Sequence, residues 1–169
     1  MNLEVRQETP EDEAAVHALN ASAFESDAEA QLVDALRAGG ALTLSLVAVV
    51  DGKVVGHIAF SPVVAQAEGR VMHGIGLAPM ALAPSHQRQG IGGRLIEEGL
   101  QRLRAQGHPF CVVLGHPDYY PRHGFVRASL HGLRWEQGHD EAFFVQGLAP
   151  EGLRGVSGVV RYRPEFDAV

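Results

Sequence analysis

The chain has 169 residues, 46% of them hydrophobic, enough to close one sizeable core and short for two independently folded domains. Its formal charge of −6 argues against the broad basic face that nucleic acid requires, and its longest apolar run, Leu46–Val50, is far below the roughly 18 residues needed to cross a bilayer. The polar start lacks the basic and apolar regions of a signal peptide, so residues 1–169 are expected to form one cytoplasmic domain with neither nucleic acid nor membrane as partner.

Leu3 and Val5 alternate with polar residues as in a short strand, and Thr9-Pro10-Glu11 follows with an N-cap, a first-turn proline and early negative charge. A first helix is predicted from there. Ser26 and Glu29 have capping-box spacing, Leu32, Val33 and Leu36 share a helical face, and Gly39-Gly40 closes a second helix. Leu42–Val50 and Val54–Phe60 are rich in strand formers and flank Asp51-Gly52, a dipeptide suited to a tight antiparallel hairpin. A strand over about Val71–Met80 contains Gly74, Gly76 and Pro79, so it is expected to be bent or bulged.

Ile96, Leu100 and Leu103 then fall on one face of a helix over Ile91–Ala105, which Gly107 stops. Phe110–Leu114 reads as a buried central strand, which makes that helix a crossover, and Cys111 within it reads as a core residue. Three further strands are predicted near Gly132–Trp135, Ala142–Leu148 and Gly155–Tyr162, extending the same sheet by antiparallel pairing. The expected class is α/β (α+β), a mixed sheet flanked by helices.

Gln87-Arg88-Gln89-Gly90-Ile91-Gly92-Gly93-Arg94 lies between a strand and a helix, where outward backbone N–H groups and the helix dipole favour an anion. Glycines at 90, 92 and 93 leave room for a diphosphate against the main chain, and Arg88 and Arg94 supply charge nearby. A dinucleotide G-x-G-x-x-G starting at Gly90 would need glycine where Leu95 stands, and a Walker loop would need a Gly-Lys-Ser/Thr that is absent. None of the nine histidines has metal-ligand spacing, so no metal is expected.

The loop fits Q/R-x-x-G-x-G/A as Gln87-x-x-Gly90-x-Gly92, preceded by the strand end Met80-Ala81-Leu82-Ala83-Pro84. Farther on, Tyr120 stands four residues before Gly124-Phe125, as in Y-x-x-x-G-F. With Ser45–Ala48 and Val55–Pro62, these segments make the chain resemble the GCN5-related N-acetyltransferase (GNAT) superfamily, in particular a YhbS-like subgroup of predicted bacterial acetyltransferases. The resemblance covers nearly the whole chain and is strongest over residues 42–125. It implies a GNAT fold with a mostly antiparallel sheet and a splayed strand pair that receives acetyl-CoA. It also implies a pyrophosphate seat at Gln87, Arg88, Gln89, Gly90, Ile91, Gly92, Gly93 and Arg94, pantetheine pairing along Met80, Ala81 and Leu82, and a Leu82 N–H aimed at the thioester carbonyl. His116 and His123 depart from the subgroup, which more often has an acidic residue and a second aromatic there. Both positions bear on the acceptor rather than on the coenzyme.

Acetyl transfer to an amine requires a neutral amine, a polarised carbonyl and a stabilised thiolate. Tyr120 is the candidate general acid. For the base, Glu25, His57, His73, His116, Asp118 and a water chain all stay open, with His116 favoured because it follows the central strand. The expected partners are acetyl-CoA and an amine of unspecified identity, and a homodimer stays open. The alternative reading is a non-catalytic acyl-CoA-binding sensor or interaction module.

Overall fold

Leu3–Gln7 forms the expected first strand, β1, in the computed structural model, which describes residues 2–168. Thr9 caps the next turn through a reciprocal box: the Asp12 carboxylate accepts from the Thr9 N–H at 2.8 Å and from its hydroxyl at 3.0 Å. Arg6 also grips Asp12, at 2.6 and 3.1 Å, and this bond is the main cause holding the carboxyl well below the usual range. Pro10–Asp12 is a 3-10 turn, and helix α1 occupies Glu13–Ala23. Helix α2, Ala28–Ala38, starts without the expected box: Ser26 Oγ accepts the Ala28 N–H at 3.2 Å instead.

Strand β2, Leu44–Val50, turns through Asp51 and Gly52, both left-handed as the dipeptide predicted, into β3, Lys53–Ala67. β3 is longer than its sequence suggested. Pro62 is exposed and lies between Phe60, where pairing with β2 ends, and Val64, where pairing with a later strand begins, so no ladder N–H is demanded of it. A second hairpin turns at Glu68-Gly69 into β4, Arg70–Leu82, which contains a cis Ala78-Pro79 bond. Helix α3, Ile91–Ala105, then leads to β5, Phe110–Leu114.

The chain divides into two compact units. The first holds residues up to Phe60, Ala78–Gly99 and the stretch from Pro164. In it β1, β2 and the first half of β3 pair antiparallel, and Val16 of α1 and Val33 of α2 pack on Val47 and Val49 of β2. Burying such a side chain stabilises the fold by roughly 1.5–3 kcal/mol. The opposite face of β3 receives α3, where Gly99 meets the ring of Phe60 and Leu95 meets Gly56.

The second unit holds Ser61–Leu77 and Leu100–Arg163. Here Ile75–Leu77 of β4 pair parallel with Cys111–Val113 of β5, which makes α3 the expected crossover. Three later strands, β6 (Val126–Arg127), β7 (Leu133–Trp135) and β8 (Phe143–Gly147), precede β9, Gly158–Arg161. β8 lies antiparallel between β5 and β6, and β9 is antiparallel to the second half of β3. β7 and β9 pair parallel, against the antiparallel expectation, because β8 intervenes in the chain and returns it to the same end. Phe110, Val112, Phe143, Val145 and Val160 form the buried centre of this unit. Cys111 is fully buried, and burial pushes its thiol pKa up, which suits a core residue. No helix among the described residues is long and apolar enough to cross a membrane.

Candidate active site

The end of β4 is seated by a missing side chain on β3. A Cβ on Gly56 would stand 2.9 Å from Leu82 Cδ2, 3.1 Å from Leu95 Cδ1 and 3.2 Å from Ala48 Cβ, so glycine lets Leu82 sink between sheet and helix. Ala83 N–H then bonds the Val55 carbonyl at 2.8 Å, fixing the strand end. Met80 and Leu82 are half-buried, and Ala81 is buried between them.

After a 3-10 turn at Pro84–His86, the predicted anion loop reaches α3. Arg88 has φ +62° and Gly90 φ +82°, left-handed residues of the kind that let neighbouring N–H groups of a loop face one anion. Nothing lies within 4 Å of a Cβ built on Gly90, so its role is conformational and the space beside it is open. The first helical bond runs from Arg94 N–H to the Gly90 carbonyl at 3.1 Å, which leaves the amides of Ile91, Gly92 and Gly93 without an intrahelical acceptor. Gln89 braces the loop by donating to the Ser85 carbonyl at 3.1 Å, and Gln87 reaches the Leu82 carbonyl at 3.4 Å. Arg88, Gln89 and Arg94 are exposed. These unpaired amides, the open space at Gly90 and two free-standing guanidinium groups suit a diphosphate.

In the second unit, Gly115 after β5 and the turn Tyr120–His123 set the tyrosine. A Cβ on Gly115 would clash with Cε2 and Cδ2 at the edge of the Tyr120 ring, so glycine lets the ring lie against the strand end. Edge-to-face contacts with Tyr119, at 5.1 Å, and Phe125, at 5.8 Å, fix its plane. Tyr120 is 9% exposed, and burial, with smaller contributions from Tyr119 and Cys111, raises its pKa. The phenol therefore stays protonated and is able to donate a hydrogen bond. Gly124 closes the turn at φ +89°.

The base candidates separate by burial. His116 is 72% exposed at the side chain, and its Nδ1 accepts the Asp118 N–H at 3.2 Å. Its carbonyl accepts the N–H groups of Tyr119 and Tyr120 at 3.0 and 3.4 Å, so its backbone helps build the tyrosine turn. His73, Glu25 and Asp118 are exposed. His57 is completely buried on β3, with Nδ1 bonded to Asn20 Nδ2 at 3.1 Å and Nε2 to Ser45 Oγ at 2.8 Å. Burial, aided by the charge of Arg37, pushes its pKa down to about 3, too weakly basic to relieve an ammonium ion of its proton. Among the described residues no group of three or more His, Cys, Asp or Glu side chains is placed to hold a metal ion.

The sequence singles out the loop and the tyrosine but not the packing roles of Gly56 and Gly115, whose signal was an isolated glycine inside or just after a strand. The family model described as the acetyltransferase (GNAT) domain matches residues 4–128. The uncharacterized N-acetyltransferase YhbS of Escherichia coli K12 is 44% identical over 166 residues, covering 96% of this chain and 98% of its own. A crystal structure of the E. coli YhbS protein in complex with CoA superimposes with a TM-score of 0.94 at 43% identity, over 99% of this chain and 93% of that one. A GNAT-family acetyltransferase from Brucella melitensis in complex with acetyl-CoA matches with a TM-score of 0.80 at 38% identity, over 98% and 99% of the two chains.

Proposed function

This chain belongs to the acetyltransferase (GNAT) domain family, and from that premise we propose that it transfers the acetyl group of acetyl-CoA to a primary amine of a small molecule or protein by direct attack. The observation that carries the reading is the loop ahead of α3, with left-handed Arg88 and Gly90, open space at Gly90 and three unpaired helix-start amides. Gln87 through Arg94 hold the pyrophosphate, and Met80, Ala81 and Leu82 pair with the pantetheine arm. The coenzyme complexes of the E. coli and Brucella relatives support the same assignment here. Strands β3 and β4 and helix α3 run through both compact units, which supports residues 1–169 as one transferase domain. A need for acetyl-CoA implies work in the cytoplasm.

The coenzyme supplies an activated thioester. The Leu82 N–H polarises its carbonyl, a role in which loss of one donor commonly costs about 3 kcal/mol of barrier. As the amine nitrogen bonds to the carbonyl carbon and the carbon–sulfur bond breaks, the Tyr120 hydroxyl donates a hydrogen bond to the departing sulfur. Its raised pKa favours donation over complete proton transfer, so the general-acid role expected from sequence narrows to that of a donor. The amine proton leaves to His116, to another exposed group or to water, and His57 is too weakly basic for the task.

The test is thiol release from acetyl-CoA by the purified chain across a panel of primary amines. With the amine that is accepted, Tyr120→Phe is expected to lower turnover on the order of 100-fold and to leave coenzyme affinity within about twofold. Wild-type turnover by that variant would remove Tyr120 from the chemistry. Tight acetyl-CoA binding without thiol release from any amine would favour the sensor reading.

A further inference from the structure

The start of the turn that carries Tyr120 is tied locally, with Tyr119 N–H to the His116 carbonyl and Arg122 Nε to the Asp118 carbonyl both at 3.0 Å. Its remaining backbone bonds are longer: Gly124 N–H to the Pro121 carbonyl at 3.3 Å, Phe125 N–H to the Tyr120 carbonyl at 3.4 Å, and Arg122 N–H to the Tyr119 carbonyl at 3.2 Å. A shorter bond arrives from outside. Gln146 on β8 donates from Nε2 to the His123 carbonyl at 2.8 Å, while its Oε1 accepts from the Arg104 guanidinium in the last turn of α3. Gly124 leaves the amide its place, because a Cβ there would stand 2.9 Å from Gln146 Nε2.

The polarity of this bridge is fixed by its ends. A guanidinium only donates and a carbonyl only accepts, so the residue between them must present an acceptor to one and a donor to the other. An amide of this length does so, a carboxylate does not, and an aliphatic chain offers neither. We propose that Gln146 is a positioning residue for Tyr120, tying the turn that carries the phenol to Arg104 through both ends of its amide. The proposal rests on the reading of Tyr120 as hydrogen-bond donor to the departing sulfur, and extends it to a residue 26 positions away that touches neither coenzyme nor acceptor in that reading. A phenol displaced by 1 Å donates weakly, so the sensitive quantity is the ionisation of the sulfur that it faces.

That ionisation is read without any acceptor, as the thiolate absorbance of bound coenzyme A against bound desulfo-coenzyme A across pH. Tyr120→Phe is expected to raise the pH at which the bound thiol ionises. Gln146→Glu, nearly isosteric and still able to bind Arg104, is expected to raise it by about half a unit or more, a threefold or larger change in ionisation constant. Gln146→Met, which keeps chain length and loses both bonds, is expected to do the same and serves if the glutamate variant does not fold. Added to Tyr120→Phe, either change should produce no further shift. Wild-type titration in both Gln146 variants, with Tyr120→Phe displaced, would overturn the proposal. A shift just as large in the Tyr120→Phe background would also overturn it, since the glutamine would then act without the tyrosine. Wild-type titration in Tyr120→Phe itself would instead defeat the donor reading on which the proposal stands.

Discussion

His57 shows how much one buried side chain decides. Asn20 Nδ2 must be the nitrogen because it faces the Val16 carbonyl at 3.0 Å, so the same group donates to His57 Nδ1. The ring's proton therefore sits on Nε2 and points to Ser45 Oγ, which leaves a neutral imidazole with both nitrogens engaged. Its folded pKa of about 3 lies below the ordinary value of 6.5, so between these limits the unfolded chain binds the proton that the folded chain refuses. Stability from this group is complete above pH 6.5 and is lost as pH falls toward 3, at up to about 1.4 kcal/mol per pH unit. Asp12, also depressed, adds a loss of the same sign at lower pH. Urea unfolding of wild type and His57→Gln across pH 3–7 isolates the histidine, because the carboxylates are common to both. The variant's stability should fall less steeply by about one proton, and identical slopes would mean that His57 titrates normally in the fold. From sequence His57 stands beside Glu25, His73, His116 and Asp118 as a candidate base, because strand alternation does not say which face a helix will cover. Asn20, the residue that settles it, lies 37 positions away.

At the scale of elements, punctuation made the fold legible and also misled. Asp51-Gly52, Gly39-Gly40 and Gly107 ended elements where they were expected to, because each supplies a turn or helix stop in the chain itself. The strand expected to end at Phe60 runs on through Pro62, which falls where no ladder partner calls for its N–H, and the strand expected over about Val71–Met80 runs through Pro79 to Leu82. Gly99 carries a sharper contradiction between local propensity and packing. In a helix interior, Gly→Ala should stabilise by roughly 1 kcal/mol from backbone entropy alone. Here a Cβ would stand 2.5 Å from Cε2 and Cζ of the fully buried Phe60, and overpacking of this kind costs about 1–3 kcal/mol. Packing should win. Gly99→Ala is expected to lower the thermal midpoint, and a rise would show that the Phe60 ring has room to give way.

For the molecule as a whole, the proposed coenzyme site was legible because its parts are contiguous: Met80–Arg94 is one uninterrupted stretch of strand end, loop and helix start. The Gln146 bridge was not, since it depends on residues that only folding gathers. The same contiguity bears on how binding should divide between the two features of that stretch. With a net charge of −6, attraction of a polyanionic coenzyme cannot come from the overall field, and the proposed site assigns it to the helix-start amides and Arg88 and Arg94. Those groups would meet phosphate in ATP as readily as in coenzyme A, whereas the pairing proposed for Met80–Leu82 is with pantetheine amides, which ATP lacks. Ligand at about 100 times its dissociation constant adds roughly 2.7 kcal/mol to folding stability, or about 5–10 °C in thermal midpoint for a chain of this size. Coenzyme A at a concentration chosen in this way is expected to produce a rise of that order, and ATP at the same concentration a much smaller one. Equal shifts would mean that the phosphate loop binds alone and that the strand end contributes nothing. A shift with neither ligand would remove the loop from the coenzyme assignment, leaving its left-handed residues as a device for joining β4 to α3.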